Sequence, residues 1–263
     1  MKAPIAPVTR STTPFNATID RPITLLGVWA HPDDEAYLSS VLMHRVIAAG
    51  GRVVLLSATK GELGGTGAAD ELAGVRANEL RAAMSVLGVS DVRFLGYADG
   101  GCGEADITVA TQSVLEVIED VGPDLVVTFG PDGITGHLDH IAVSGWTTRA
   151  AVAAGCEHLL YATMPDEFAR RHEALHERIG IWMDGKPRTV SSPKIALHVV
   201  PTPTERRAKA KALRAHASQT SSLIELIGAE TFDSWWVDEY FRRPAADELA
   251  AFTFRRAASW RVA

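Results

Sequence analysis

The sequence is short of most features that mark specialised protein classes. It has only two cysteines, Cys102 and Cys156, in 263 residues, too few for a disulfide framework or a thiolate metal cluster, and their spacing fits no redox motif. A reducing, cytoplasmic setting is therefore expected. No window approaches the roughly 18 uninterrupted apolar residues of a membrane span. The Pro-, Ser- and Thr-rich opening, residues 1–20, lacks the apolar stretch of a secretory leader and is expected to be an irregular arm. An excess of positive charge is missing too. The formal net charge is −6, and no long Lys/Arg run offers a footprint for nucleic acid or anionic lipid. Small neutral or modestly charged molecules are the partners left.

What is present is a chain with 46% hydrophobic residues, enough for one substantial core, so a single domain spanning 1–263 is expected. Short β-branched runs alternate with longer amphipathic ones. Strands are expected at Ile23–Trp29, Arg52–Ala58, Val92–Gly96, Asp124–Phe129 and His158–Thr163, with helices at Asp34–Ala49, Asp70–Leu87, Ile107–Val121 and His137–Ala154 between them. That alternation predicts an α/β fold, a Rossmann-like, mostly parallel sheet flanked by helices. The last hundred residues read as an elaboration: a helix at Asp166–Arg178, a turn-rich stretch at Gly180–Pro193, a strand at Lys194–Val200, a basic helix at Glu205–His216, the aromatic run FDSWWVDEYF at 232–241, and a strand at Ala251–Arg255.

In an open parallel sheet, ligands bind outside the carboxyl ends of the strands. Two of the post-strand loops carry His with Asp: AHPDDE, residues 30–35, and GPDGITGHLDH, residues 130–140. A catalytic zinc site takes three ligands from His, Asp or Glu and keeps one position open. His31 and Asp34, three apart at a helix start, can face one side, and either His137 or His140 completes a triple. The remaining groups suit hydrolysis: Asp33 as general base, the unligated histidine as oxyanion donor, and Asp139 as the carboxylate that orients it. First-turn acids favoured by the helix dipole are the alternative reading of the carboxylates, but the two motifs in matching post-strand positions favour a metal centre.

These segments resemble the LmbE/PIG-L family of zinc-dependent deacetylases. AHPDDE is similar to the family's first metal motif. HLDH is similar to its second, with Leu138 where proline is common. Thr59–Glu62, the helix around Arg76, the Leu95–Asp99 segment and His216-Ala217-Ser218-Gln219 resemble further landmarks, so the likeness spans about residues 23–220. It implies that His31, Asp34 and His140 bind the metal, that Asp33 is the general base, and that His137, held by Asp139, stabilises the oxyanion. It also implies that Arg76 and Asp99 hydrogen-bond sugar hydroxyls. The reaction implied is removal of the acetyl group from an N-acetylglucosamine-type conjugate, by attack of metal-bound water on the amide carbonyl. A relative of the family that cleaves amides of thiol or sugar conjugates is the alternative substrate class. Zn2+ is the expected cofactor; His and carboxylate donors also accept Fe2+.

One string competes. His172-Glu173-Ala174-Leu175-His176 has the HExxH form of a zinc metallopeptidase, but the charged residues around it point to a solvated helix. Lys209, Lys211 and Arg214 also read as a solvated helix face. The aromatic run reads as core, with a substrate pocket or a homo-oligomer contact left open.

Overall fold

The computed structural model describes Ile19 and residues 21–65, 68–183 and 188–251. Among the described residues, seven strands form one sheet: β1 (Thr24–Trp29), β2 (Arg52–Ser57), β3 (Asp91–Phe94), β4 (Leu125–Phe129), β5 (Leu159–Ala162), β6 (Ile195–Val199) and β7 (Glu239–Arg242). Their order is β3-β2-β1-β4-β5-β7-β6. The first five run parallel, while β7 lies antiparallel to both β5 and β6. Apart from Thr24 and Arg52 at their starts, the central strands β1, β2 and β4 are buried, as a sheet covered on both faces requires.

The order contains the feature that matters for function. From β1 the chain winds outward to β2 and β3, then returns to β4 on the other side of β1. The connections after β1 and β4 therefore leave in opposite directions, and the gap they open is the topological switch point of the sheet. AHPDDE follows β1 and GPDGITGHLDH follows β4, so the two motifs, about a hundred residues apart in sequence, meet at this gap.

The expected α/β layout holds, with local corrections. The helix expected over Asp34–Ala49 is two, Asp34–Leu38 and Ser40–Ala48, broken at Ser39. The cause is a buried carboxylate. Glu239 of β7 accepts the backbone N–H groups of Val41 and Leu42 at 2.7 and 3.0 Å, together with the Ser40 hydroxyl, satisfying donors that a helix start leaves free. Lys209 completes the arrangement, which corrects its reading as solvated. It is 3% exposed, and its ammonium donates to Glu239 at 3.0 Å and to the Tyr37 carbonyl at 2.6 Å. A buried capping charge needs a counter-charge, and helical periodicity alone does not reveal that demand.

The aromatic run belongs to the core as expected, with Phe232, Trp235, Trp236 and Phe241 buried. Its first three residues end the helix Ala229–Ser234 and its last three lie in β7. The helix expected over Asp166–Arg178 breaks at His172 into Asp166–Arg171 and Glu173–Ile179. The expected strand Ala251–Arg255 lies outside the described residues apart from Ala251, as does the opening arm apart from Ile19. Among the described residues, no helix is long and apolar enough to cross a membrane.

Removing one member of a buried pair leaves the other charge uncompensated. Lys209→Met is expected to cost about 3 kcal/mol of unfolding free energy, measured as a lowered midpoint in urea with the slope unchanged.

Candidate metal centre

His31 follows directly on β1, and the backbone then makes an unusual turn. Asp33 adopts φ 124° and ψ −28°, a conformation that non-glycine residues avoid. Two contacts hold it there. The Asp33 N–H donates to the Glu35 carboxylate at 3.0 Å, and the Pro32 carbonyl accepts the Arg76 guanidinium at 2.5 Å. Glu35 is itself fixed, because its other oxygen lies 2.8 Å from His216 Nε2 in a fully buried pair. Arg76 also donates to the Gly61 carbonyl at 2.8 Å and to the Asp33 carboxylate at 3.2 Å. Gly61 has φ +68°, and a Cβ there would run into the Arg76 guanidinium, so this loop position requires glycine.

The result of the turn is that Asp33 and Asp34 project differently. Asp34 Oδ1 lies 3.3 Å from His140 Nε2, and Asp34 Oδ2 lies 3.6 Å from His31 Nδ1. The two ring nitrogens are 3.2 Å apart. Four donors around an ion at 2.0–2.1 Å sit about 3.3–3.4 Å from one another, so the two ring nitrogens, each beside a different oxygen of the Asp34 carboxylate, are spaced close to the edges of such a coordination shell.

The outer nitrogens decide what those atoms carry. His31 Nε2 lies 3.1 Å from Asp99 Oδ1 and 3.2 Å from Asp139 Oδ2, so it is the protonated nitrogen and donates to the carboxylates. His140 Nδ1 donates in the same way to the Gly133 carbonyl at 3.0 Å. Neutral rings protonated on their outer nitrogens, the form that binds a cation, direct two lone pairs into the space beside the Asp34 carboxylate, where the ring nitrogens lie 3.2 Å apart. Burial would lower His31, but the Asp139, Asp34 and Asp99 carboxylates outweigh it and hold it well above the ordinary histidine range, so a divalent cation, which such a donor set fits, would take the place of a proton there. One ring nitrogen each of His31, His137 and His140 also lie within 4.8 Å of one another, and His31 forms a second such group with Asp99 and Asp139.

His137 is fixed differently from the expected way. It was expected to be held by the Asp139 carboxylate, but that carboxylate accepts the N–H groups of Gly100 and Cys102, at 2.7 and 3.1 Å, and faces His31. The Asp139 backbone N–H, not the side chain, donates to His137 Nδ1 at 3.1 Å, as part of the cap of the helix Leu138–Ala154. A helix N-terminus has free N–H groups to offer, and a histidine in the capping position accepts one. His137 Nδ1 is therefore an acceptor, and its proton sits on Nε2.

Electrostatics follow burial and neighbours. Burial pushes the Asp33 carboxyl up to about 7, with the Arg76 charge pulling the other way and Asp34 adding to the rise. Burial likewise brings His140 down to about 4, against the attraction of Asp34. It lowers His137 as well, helped by the nearby His31. Burial would raise Asp34, but the His140 and His31 rings outweigh it and hold that carboxyl low.

Asp99 stands in the loop after β3, tied to the loop after β2: its N–H donates to Glu62 at 2.9 Å while its carboxylate accepts the Leu63 N–H at 2.9 Å. Arg76 is 4% exposed and turned onto backbone carbonyls and Asp33. The expected clustering of His31, Asp33, Asp34, Asp99, His137, Asp139 and His140 is thus what the structure contains. Glu35 and His216 gain a shared structural task that residue type alone did not assign.

The competing HEALH string has no such geometry. The helix breaks at His172, and His176 is buried, with Nε2 accepting the Trp235 indole N–H at 3.0 Å. One nitrogen is spent on a structural bond, and the pair does not share one regular helix face. The expectation of a solvated helix fails at His176 itself, which packs against Trp182 and Trp235.

A Rossmann-like sheet with a His/Asp donor cluster at its switch point places the chain among α/β proteins built to offer a divalent-ion site outside the carboxyl ends of their strands. The sequence profile of the PIG-L family, described as GlcNAc-PI de-N-acetylase, matches residues 26–152, and the chain belongs to that family. It is 32% identical over 243 residues to 1D-myo-inositol 2-acetamido-2-deoxy-alpha-D-glucopyranoside deacetylase 2 of Catenulispora acidiphila, covering 75% of this chain and 80% of that one. The 1D-myo-inositol 2-acetamido-2-deoxy-alpha-D-glucopyranoside deacetylase of Rhodococcus opacus is 35% identical over 238 residues, covering 75% of this chain and 82% of that one. In structure the chain is similar to N,N'-diacetylchitobiose deacetylase from Pyrococcus horikoshii, with a TM-score of 0.62 at 20% identity, over 88% of this chain and 86% of the other.

The donor geometry sets a direct test. Purified His140→Ala is expected to lose the divalent ion that the unaltered protein retains through dialysis, read by elemental analysis, whereas His172→Ala keeps it.

Proposed function

We propose that this chain is a metal-dependent hydrolase that removes the acyl group from an N-acetylglucosamine-type conjugate, with His31, Asp34 and His140 holding zinc or ferrous iron. The observation that carries this reading is the convergence of two imidazole lone pairs and one carboxylate, with Asp33 and His137 beside them. An ion held there supplies Lewis-acid polarisation of the amide carbonyl and activation of water.

The chain's own residues do the rest. Asp33, tuned to about 7, takes a proton from the attacking water at neutral pH, as a base matched to its working range. His137, neutral and with Nδ1 occupied by the Asp139 N–H, presents Nε2–H as a donor to the developing oxyanion. Asp139 and Asp99 hold the His31 ring in the tautomer that turns Nδ1 inward. Arg76 we assign to positioning Asp33 rather than to the sugar, because its guanidinium is buried on the Pro32 and Gly61 carbonyls. Asp99, at the loop edge, remains the residue assigned to sugar hydroxyls.

The similarity to the two inositol-glucosaminide deacetylases supports a GlcNAc-inositol conjugate as the substrate type. The two free cysteines fit action in a reducing compartment. Residues 1–263 act as one domain in this function.

Asp33→Asn is expected to keep its metal and to lose turnover of N-acetylglucosaminyl-inositol by about 10²–10⁴-fold. Arg76→Met separates positioning from binding: kcat is expected to fall at least roughly tenfold with KM little changed, whereas a sugar contact would raise KM.

A further inference from the structure

The metal-site residues border a cavity of a character that a sugar does not explain. It has a volume of about 270 Å³, and its wall includes Asp33, Asp34 and His140 at one end. The rest is mainly apolar, built from Tyr37, Ile179, Ile181, Leu223, Trp235 and Trp236 among others. None of Glu62, Asp99, His137 or Asp139 lines it. The site therefore has two unlike sides, a polar one of loops that can meet hydroxyls and an apolar one that cannot.

Size and chemistry together point to an occupant. Sugar hydroxyls placed against this wall would lose their hydrogen bonds to water with little in return. An acetyl carries a single methyl beyond its carbonyl, so the acetyl of an N-acetyl sugar would leave most of a cavity of about 270 Å³ empty. The wall is also well defined. Trp235 is locked by its bond to His176, and the Trp235 and Trp236 rings meet edge to face at 5.4 Å, with Tyr37 against both. Ile179, Ile181, Leu223 and both tryptophans lie beyond residues 26–152, the part that the family profile covers.

Resting on the hydrolase reading above, we propose that the cavity is an acyl pocket and that the preferred substrate carries an unbranched N-acyl chain of about four to eight carbons instead of acetyl. The carbonyl sits at the Asp33–His140 end, the sugar lies on the Asp99 side, and the alkyl tail runs between Leu223 and the tryptophan pair. The reaction is amide hydrolysis: water adds its oxygen to the acyl carbon, the C–N bond breaks, and amine and fatty carboxylate leave.

The test is a chain-length series, N-acetyl, N-butanoyl and N-hexanoyl glucosaminides, with the metal-loaded full-length protein. Each added methylene is expected to raise kcat/KM about fourfold, so hexanoyl should exceed acetyl by roughly fiftyfold or more. Leu223→Trp, which fills the pocket, is expected to lower the hexanoyl-to-acetyl ratio at least roughly tenfold. Calorimetric titration of the unaltered protein provides a readout free of turnover, with hexanoate binding at least roughly tenfold more tightly than acetate. A flat or falling series with N-acetyl still cleaved overturns the acyl pocket and leaves the hydrolase reading standing. Failure to cleave any N-acyl glucosaminide overturns both. A gain that follows an alkyl aglycone on N-acetylglucosamine, and not the acyl chain, overturns the assignment of the tail to this cavity.

Discussion

Two imidazole nitrogens are held 3.2 Å apart beside a carboxylate, and much of the structure serves to keep them so. The parallel order places β1 beside β4, which brings the rings from distant parts of the chain to one gap. Asp139 and Asp99 secure one ring, and the Gly133 carbonyl secures the other. Phe129, the last residue of β4, stacks on His140 at 4.1 Å between ring centroids and fixes its plane from one face, while His137 stacks at 4.9 Å. Each restraint removes a way for the rings to turn aside. With the rings fixed in this way, the donors of His31, Asp34 and His140 are in place for a cation before one binds.

Asp33 shows the same logic in the backbone. A non-glycine residue in its conformation carries strain of about 1–3 kcal/mol, and it persists because Glu35 and Arg76 grip the peptide on either side. Glu35 reaches His216 at the far end of the chain, while Arg76 comes from the long helix Ala69–Leu87. Three separate segments therefore set the direction of one carboxylate. Such over-determination is what allows adjacent acids in one short motif to be directed to different tasks.

Much of this was legible before the fold was known, for identifiable reasons. The period-2 and period-3.6 patterns of the first 165 residues locate the parallel strands and helices. The rule that ligands gather outside strand ends then picks out the two motifs. What could not be read was any contact set by a partner far away in sequence. Asp139 looks like a support for its neighbour His137, yet its carboxylate turns to His31, because the loop at Gly100 and Cys102 draws it there. Lys209 sits in a basic helix and looks solvated, but Glu239 takes it inside. His176 fits a metal motif letter by letter, and only the position of Trp235 shows that its nitrogen is already engaged. Residue type and spacing report the local preference, whereas the partner that overrides it belongs to tertiary structure.

Glu239 carries a further implication, for the order in which the molecule is made. The helix Ser40–Ala48 begins on a carboxylate that lies 197–199 residues further along. At ribosomal speeds of about 5–20 residues per second, that separation is roughly ten to forty seconds of synthesis. During that interval the segment after AHPDDE emerges with its leading amides unclaimed. Its final seating waits for β7, so the helix behind the AHPDDE turn gains its cap only once that strand has emerged.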